Sequence, residues 1–588
     1  LLAALPALMT ACKGRQEQAA PATPIETSQR AVVVATYTVT STGDNINDPT
    51  TLRGAVKKVE TDIALHPTWA TESFQIDIDT NGPIILAGEI EIQRNISVSA
   101  ATGRTPQLDG GGVNRIFSVI PGGNLTATGI TFQNGSEGGG GAVLNIGTAT
   151  FTDCTFDSNW VGGAGAAIFS DDGELTLTDC VFVSGSADQG GGVLFSDAGN
   201  DHTLSVTRCE FLANVARSSE GGGLDVLMRQ GGNSTATITD STFDGNSSGY
   251  NGGGLYVSGG NVTITGSTFN GNGALNGAGA HFAYQSVVSI SNSTFTGNIA
   301  NSFANNCSVP YSGSTAGVFL EDATGTLTHV TIVDNMGNCE AGFRWVTSSM
   351  LSAPTITGSI VCGNLLTDFT TPSNSTSVDN MTNLVDCTAN LDSLADNGGP
   401  TKTRMPLSNS PAVNAGPVAG AGDYDQRGVL RTMGKPSDYG ATESGCGTMP
   451  GACVPTCGDG IQKDVELCDD GNTMSGDSCP ATCLVNPCLI DEHVASHACV
   501  ACAAGSTRPA GDDPTGSDTA CSVTFCAANR YVVNHVCTPC QAGGTRPAGD
   551  LATGSDTSCR AVTCGANQRV LSHACVACAA GTTRPAGD

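Results

Sequence analysis

The chain has 588 residues, with 54 Asp or Glu against 25 Lys or Arg, giving a net charge of −29. The acids are spread without a single block, which disfavours nucleic acid and anionic lipid as partners and leaves divalent cations open. Aromatic residues make up only 5% and glycine fills 77 positions, a composition that suits many thin layers and argues against one large globular core.

Leu1 to Cys12 reads LLAALPALMTAC, a hydrophobic run ending in small residues before a cysteine. This resembles the end of a bacterial lipoprotein signal peptide, which would make Cys12 the acylated residue; an ordinary secretory signal is the alternative. A start methionine and basic region are absent, so the chain is expected to be a fragment at this end. Residues 13–35, rich in Gln, Ala, Pro and Thr, read as a flexible tether. Later runs fall short of the ~20 apolar residues that span a bilayer, so membrane attachment is expected only through lipid.

Residues 36–120 are assigned to an N-terminal cap and the first coils, and residues 121–393 to a repeat region. There a glycine cluster opens each unit and Phe-x-x-Asn closes it, as in Phe211 to Asn214 and Phe243 to Asn246. The phenylalanine column Phe132, Phe156, Phe182, Phe211, Phe243, Phe269, Phe295 recurs every 24 to 32 residues, a solenoid period. Runs such as Leu175-Thr-Leu-Thr and Ala236-Thr-Ile-Thr alternate apolar with hydroxyl residues and read as short strands. The predicted fold is all-β: a right-handed parallel β-helix with caps at both ends, followed by small disulfide-rich modules. Stacked coils turn the phenylalanines into an interior ladder and let the asparagines bond one another from rung to rung.

Tyr37-Thr-Val-Thr-Ser-Thr-Gly-Asp44 followed by Thr51-Leu-Arg-Gly-Ala-Val56 is similar to the N-terminal cap of bacterial β-helix proteins, with Gly54 where that signature has glutamate. In residues 394–445, Leu394-Ala-Asp-Asn-Gly-Gly-Pro-Thr401, Ser410-Pro-Ala-Val-Asn-Ala-Gly416 and Asp425-Gln-Arg-Gly428 resemble the choice-of-anchor Q domain, which implies a cap closing such a helix. The glycine-cluster and Phe-x-x-Asn repeats also resemble those of polymorphic outer-membrane proteins, a family of surface adhesins.

Of 25 cysteines, 17 lie at or beyond Cys446. Residues 446–487 hold Cys446, Cys453, Cys457, Cys468, Cys479 and Cys483, and CGDGIQKDVELCDDGNTMSGDSCPATC resembles a cysteine-rich repeat of myxobacterial surface proteins. Residues 488–588 form three tandem modules spaced by 38, with Cys488, Cys499, Cys502 and Cys521, then Cys526, Cys537, Cys540 and Cys559, then Cys564, Cys575 and Cys578. The third copy reaches Asp588 before its fourth cysteine, so truncation is expected here too. Cys-x-x-Cys with a small Gly-Thr-Arg-Pro loop resembles extracellular modules of ephrin-type and tumour-necrosis-factor receptors. Regular spacing in an exported chain points to disulfides, with connectivity left open; zinc held by His497, His535 or His573 and the adjacent Cys-x-x-Cys is the alternative. Asp469, Asp470 and Asp477 are the candidate calcium ligands, against a solvated turn. Otherwise no cofactor is expected. In the repeat region, Cys307 with Cys339 and Cys362 with Cys387 are candidate disulfides, while Cys154, Cys180 and Cys209 share an inward column and read as buried thiols.

An enzyme of the polysaccharide lyase, hydrolase or epimerase kind is the alternative that such a scaffold invites. A lyase needs a base for the proton α to a carboxylate, yet no lysine occurs between Lys58 and Lys402. A polygalacturonase-like site needs clustered carboxylates with supporting His and Arg; the candidate is Asp171-Asp172-Gly173, and it sits where a turn belongs. The residue after each inward position should face outward, giving the column Val143, Ala167, Leu194, Asp225, Tyr256, His281, Phe319, Arg344. Asp225, Tyr256, His281 and Arg344 are the candidate ligand-binding stripe, for a cell-surface glycan or protein; an ordinary mixed face is the alternative. The expected function is a non-catalytic adhesin or structural spacer on the outer face of a bacterial outer membrane, or secreted.

Overall fold

A computed structural model describes residues 33–300 continuously, and 315–444 and 488–587 with gaps. Each coil of the solenoid contributes one strand to each of three long parallel sheets of 12, 11 and 12 strands, joined over six coils by a short fourth sheet. The first sheet runs from Val33–Val39 to Thr355–Thr357, the second from Ile90–Ile92 to Phe369–Thr370, and the third from Pro83–Ile85 to Leu384–Val385. Neighbouring strands within each sheet are always the next coil along, so no strand pairs with a distant partner. The coil winds right-handed, as parallel β crossovers do.

Two sequence habits make the corners between sheets. Leaving the first sheet, the chain bends through residues with positive φ: Asp153 (53°), Asp179 (54°), Arg208 (50°), Asp240 (53°) and Asn292 (46°). Asn and Asp tolerate that region best among residues with a side chain, and glycine takes the same place at Gly129 and Gly266. After the third sheet the equivalent bend falls at Ser158, Ala213, Gly245 and Gly271.

Inside, the phenylalanine ladder is continuous. From Phe132 to Phe295 successive rings stack 4.5 to 4.8 Å apart, tilted by no more than 10°. Each ring is buried, and each such burial is worth about 1.5–3 kcal/mol. The asparagine ladder runs beside it: Asn246 Nδ2 donates to Asn272 Oδ1 (3.0 Å) and to the Phe211 carbonyl (2.8 Å), and the same pattern links Asn214 through to Asn364. These amides satisfy polar backbone groups that the tight bend leaves without a ladder partner.

Cys154, Cys180 and Cys209 are free, buried thiols, and they do more than fill space. Cys209 Sγ donates to the Thr207 carbonyl (3.4 Å) and accepts from Cys180 N–H (3.4 Å). In the next coils Ser241 and Ser267 repeat both roles with shorter bonds.

The ends are closed differently. At the N-terminus a helix, Leu52–Leu65 (α1), lays Leu52, Ala55, Val56, Val59 and Ile63 against the first coils. Thr51 caps it by accepting from Gly54 N–H. A Cβ on Gly54 would stand 1.8 Å from the Asp48 carbonyl oxygen, so a side chain has no room at this position. Toward the C-terminus, residues 389–444 fold back along the third sheet. Gln426 donates to Thr268 Oγ1 (2.8 Å) and accepts from Thr294 Oγ1 (2.6 Å), and Ala441 N–H bonds Thr331 Oγ1 (2.9 Å). Asp425 gathers bonds from Arg427, Val429 N–H and Glu443 N–H, and the fully buried Arg431 pairs with Glu443 at 2.9 Å.

The cysteine modules are small antiparallel hairpins, such as Glu492–Ala495 with Ala498–Ala501 and Arg530–Val533 with Val536–Pro539. Their described disulfides are Cys488–Cys499, Cys502–Cys521, Cys526–Cys537, Cys540–Cys559 and Cys564–Cys575.

Candidate functional site

The stripe expected to face solvent is sealed. Backbone register places Leu144, Phe169, Leu194, Asp225, Tyr256, His281, Phe319 and Arg344 in one column on the outside of the second sheet. Two of the predicted members are therefore wrong: Val143 pairs with Ile168 on the inward side, and Ala167 precedes the strand. Alanine takes the place there that Gly192 and Gly223 hold in later coils, which displaced the count by one residue.

Exposure is the larger correction. Asp225 is 0% exposed, Tyr256 5%, His281 1% and Arg344 3%. The glycine cluster preceding each strand folds across the column. Cβ atoms placed on Gly221, Gly252 and Gly277 would lie 2.4 to 2.7 Å from the Cβ atoms of Asp225, Tyr256 and His281. Glycine in that cluster thus permits a second, thin core outside the first. Within it Tyr256 meets His281 edge-on, His281 stacks on Phe319 at 4.5 Å, and the Arg344 guanidinium sits 5.2 Å over Phe319. His281 Nε2 also lies 3.1 Å from Glu321.

Asp225 is the unusual member. Neither carboxylate oxygen has a partner in hydrogen-bonding geometry. Burial pushes its carboxyl up to about 8, with a polar influence from Gln189 opposing and the Glu220 charge adding to the rise. Burial likewise raises the Tyr256 phenol well above its ordinary value. From Asp225 to Arg344 this column contributes packing and offers no accessible stacking platform.

Among the described residues one group could gather a metal ion: ligand atoms of Asp172, Asp197 and His202 lie within 4.8 Å of one another. Asp197 already accepts from Asn200 N–H (3.0 Å), Gly199 N–H (3.3 Å), His202 and Ser234. Against the opposing effect of burial, those bonds, with Ser234 foremost, hold its carboxyl at about 2. They occupy the lone pairs an ion would need. Asp171 and Asp172 end a strand and begin a positive-φ turn, as expected.

A cleft of about 420 Å³ opens elsewhere, where the fold-back segment meets the third sheet. Its floor comes from three successive coils: Glu210 and Leu212, Thr242 and Asp244, Thr268 and Asn270, which stand in register. Its wall includes Leu394, Asp396, Pro400, Thr401 and Lys402. Thr401 Oγ1 donates to the Gly266 carbonyl (2.7 Å), and Thr268 Oγ1 donates to the Lys402 carbonyl (2.6 Å), which pins the wall to the floor. The lysine that seemed to lie past the repeats is thus returned to their surface. Nothing in the repeat pattern signals this, since the joined residues are separated by 134 positions.

Cys12, Cys307, Cys339, Cys387, the cysteines from Cys446 to Cys483 and the acids Asp469, Asp470 and Asp477 lie outside the described residues. Cys362 is disulfide-bonded. Cys578, expected to be paired, has no disulfide partner among the described residues. Its counterparts Cys502 and Cys540 find partners 19 residues downstream, and that position lies past residue 588. His535 and His573 direct Nδ1 at the carbonyls of Ala552 and Gly544, while the neighbouring cysteines Cys537, Cys540 and Cys575 are in disulfides. With both cysteines of the pairs Cys499/Cys502 and Cys537/Cys540 in disulfides, zinc has no thiolates to bind there, and beside His573 only Cys578 is unbridged; His497 itself lies outside the described residues.

Residues 107–234 match the family model described as right handed beta helix region. Residues 449–484 match the domain of unknown function DUF4215, within the segment read as a cysteine-rich repeat. No curated protein and no solved structure matches the chain. The chain thus carries a right-handed β-helix and cysteine-rich modules, an architecture consistent with a surface or structural protein. Among the described residues no helix is long and apolar enough to cross a membrane.

Proposed function

We propose that this is an exported, non-catalytic surface protein in which a capped β-helix serves as a spacer or adhesive stalk bearing cysteine-rich modules. The observation that carries the reading is the set of five disulfides in modules with little apolar core. Such modules depend on cross-links for stability and belong to oxidising compartments. The solenoid supports the spacer role: 11 strands stacked at about 4.8 Å make a rod on the order of 50 Å long. In this reading Cys12 carries lipid, the segment 394–445 acts as a choice-of-anchor Q cap, and the protein sits on the outer face of the outer membrane or is released.

Protease shaving of intact cells, following the solenoid and the modules with separate antibodies, tests it. Loss of both signals from otherwise intact cells is the expected result. Protection of both would place the protein inside the envelope and overturn the surface role.

A further inference from the structure

We propose that the cleft between the third sheet and the fold-back wall binds a neutral or amino sugar oligomer. This rests on the adhesive form of the reading above and gives it a site.

The floor is the face of a sheet whose backbone groups are used in pairing from coil to coil. A peptide adding as a strand needs a free sheet edge, which this floor does not offer. What remains for a ligand is side-chain chemistry: carboxylates at Glu210, Asp244 and Asp396, a hydroxyl at Thr242, an amide at Asn270, and the ammonium of Lys402. Carboxylates accept from adjacent sugar hydroxyls, while the ammonium donates to ring or hydroxyl oxygens. Leu212 and Pro400 supply apolar contact for the C–H face of a ring.

Three further observations favour a saccharide. Among the described residues Lys402 forms no ion pair and the Glu210 side chain makes no hydrogen bond, although both line the same cleft. Charged groups left unspent toward each other remain free for a ligand with both donors and acceptors. Asn270 Nδ2 donates to Asp244 Oδ1 (2.8 Å), which fixes that carboxylate and leaves its other oxygen free. Side chains at equivalent positions, Glu210 then Thr242 and Asp244 then Asn270, follow one another up the floor at the coil spacing of about 4.8 Å, a step on the scale of one sugar ring. The volume falls within the range of ligand pockets. Three acids against one lysine, in a chain of net charge −29, repel uronates and sulfated sugars and leave neutral or amino sugars.

The test is calorimetric titration of the full chain with oligomers of glucose, N-acetylglucosamine, glucosamine and galacturonate. Expected is binding to at least one of the first three, none to oligogalacturonate, and a loss of roughly tenfold or more in Glu210→Gln and in Lys402→Met, each removing one charged contact. Both side chains are exposed, so the melting temperature should hold and separate lost binding from lost fold. Absence of binding to all three, or binding unchanged in both variants, overturns the proposal. Because purified protein is used, that failure leaves the shaving result, and with it the surface role, standing or falling separately. Preference for oligogalacturonate overturns the charge argument.

Discussion

Cys209 shows how much one side chain does in a structure built from identical layers. Its sulfur accepts the N–H of Cys180 and donates to Thr207, so it closes a corner as Ser241 does one coil later. Cys209→Ser should therefore be nearly neutral. Cys209→Ala should cost about 1–3 kcal/mol, because a buried N–H loses its acceptor; urea unfolding of both variants checks the contrast. Equal losses would mean that the column acts through volume alone. The inward column of cysteines was legible from its fixed distance to phenylalanine, whereas its bonding was not, since sequence shows no acceptor one coil away. Gly54 is a second case: in sequence it reads only as a departure from the cap signature it resembles, and the Asp48 carbonyl supplies the steric reason for glycine.

At the scale of the element, each coil carries two cores. The inner one was legible because phenylalanine and asparagine recur at constant spacing, and each can do only a few things in a stack. The outer one was hidden. Alternation predicts which side of a strand a residue takes, but whether that side is wet depends on the glycine cluster, which crosses over it in space. A signal was present in the glycine placed four residues before Asp225, Tyr256 and His281. Asp225 makes the outer core sensitive to pH. Its carboxyl titrates near 3.8 when unfolded and at about 8 when folded, so the folded state holds a proton that the unfolded chain has lost between those values. Stability from this group is complete below about pH 4 and is lost as pH rises toward 8. Asp225→Asn should flatten that part of the melting-temperature profile and raise the midpoint most above pH 8, as differential scanning calorimetry from pH 4 to 9 would show. A parallel profile in the variant would mean that the carboxylate is solvated when charged.

The whole molecule joins two regimes of stability. The solenoid is held by continuous apolar and amide ladders, the modules by cross-links spanning 11 or 19 residues. In a chain-entropy account each such link is worth about 2–4 kcal/mol, which is most of what a small module has. Reduction with dithiothreitol should open residues 488–588 to protease while the fragment containing the phenylalanine ladder persists. Simultaneous digestion of both would show that the solenoid depends on the modules. The class of fold was legible at this scale, through the period of the repeats and the cysteine spacing. The cleft was not, because it arises only when the segment after the last coil returns to Thr268.

That return has a consequence for how the length of this protein can change. From Thr401 to Ala441 the segment touches coils at Gly266, Thr268, Thr294 and Thr331, and Gly440 reaches Gly358. It is a ruler laid along four coils, and its marks must stay in step with them. Excising the coil Thr155–Cys180, which joins Cys154 to a residue in the same register as the one removed, should give a shorter protein that melts cooperatively. Excising Thr268–Ser293 removes as much chain, yet it should leave the returning segment open to protease, because every later mark then falls one coil out of place. The solenoid is free to grow or shrink by whole turns only ahead of the stretch that its own tail measures.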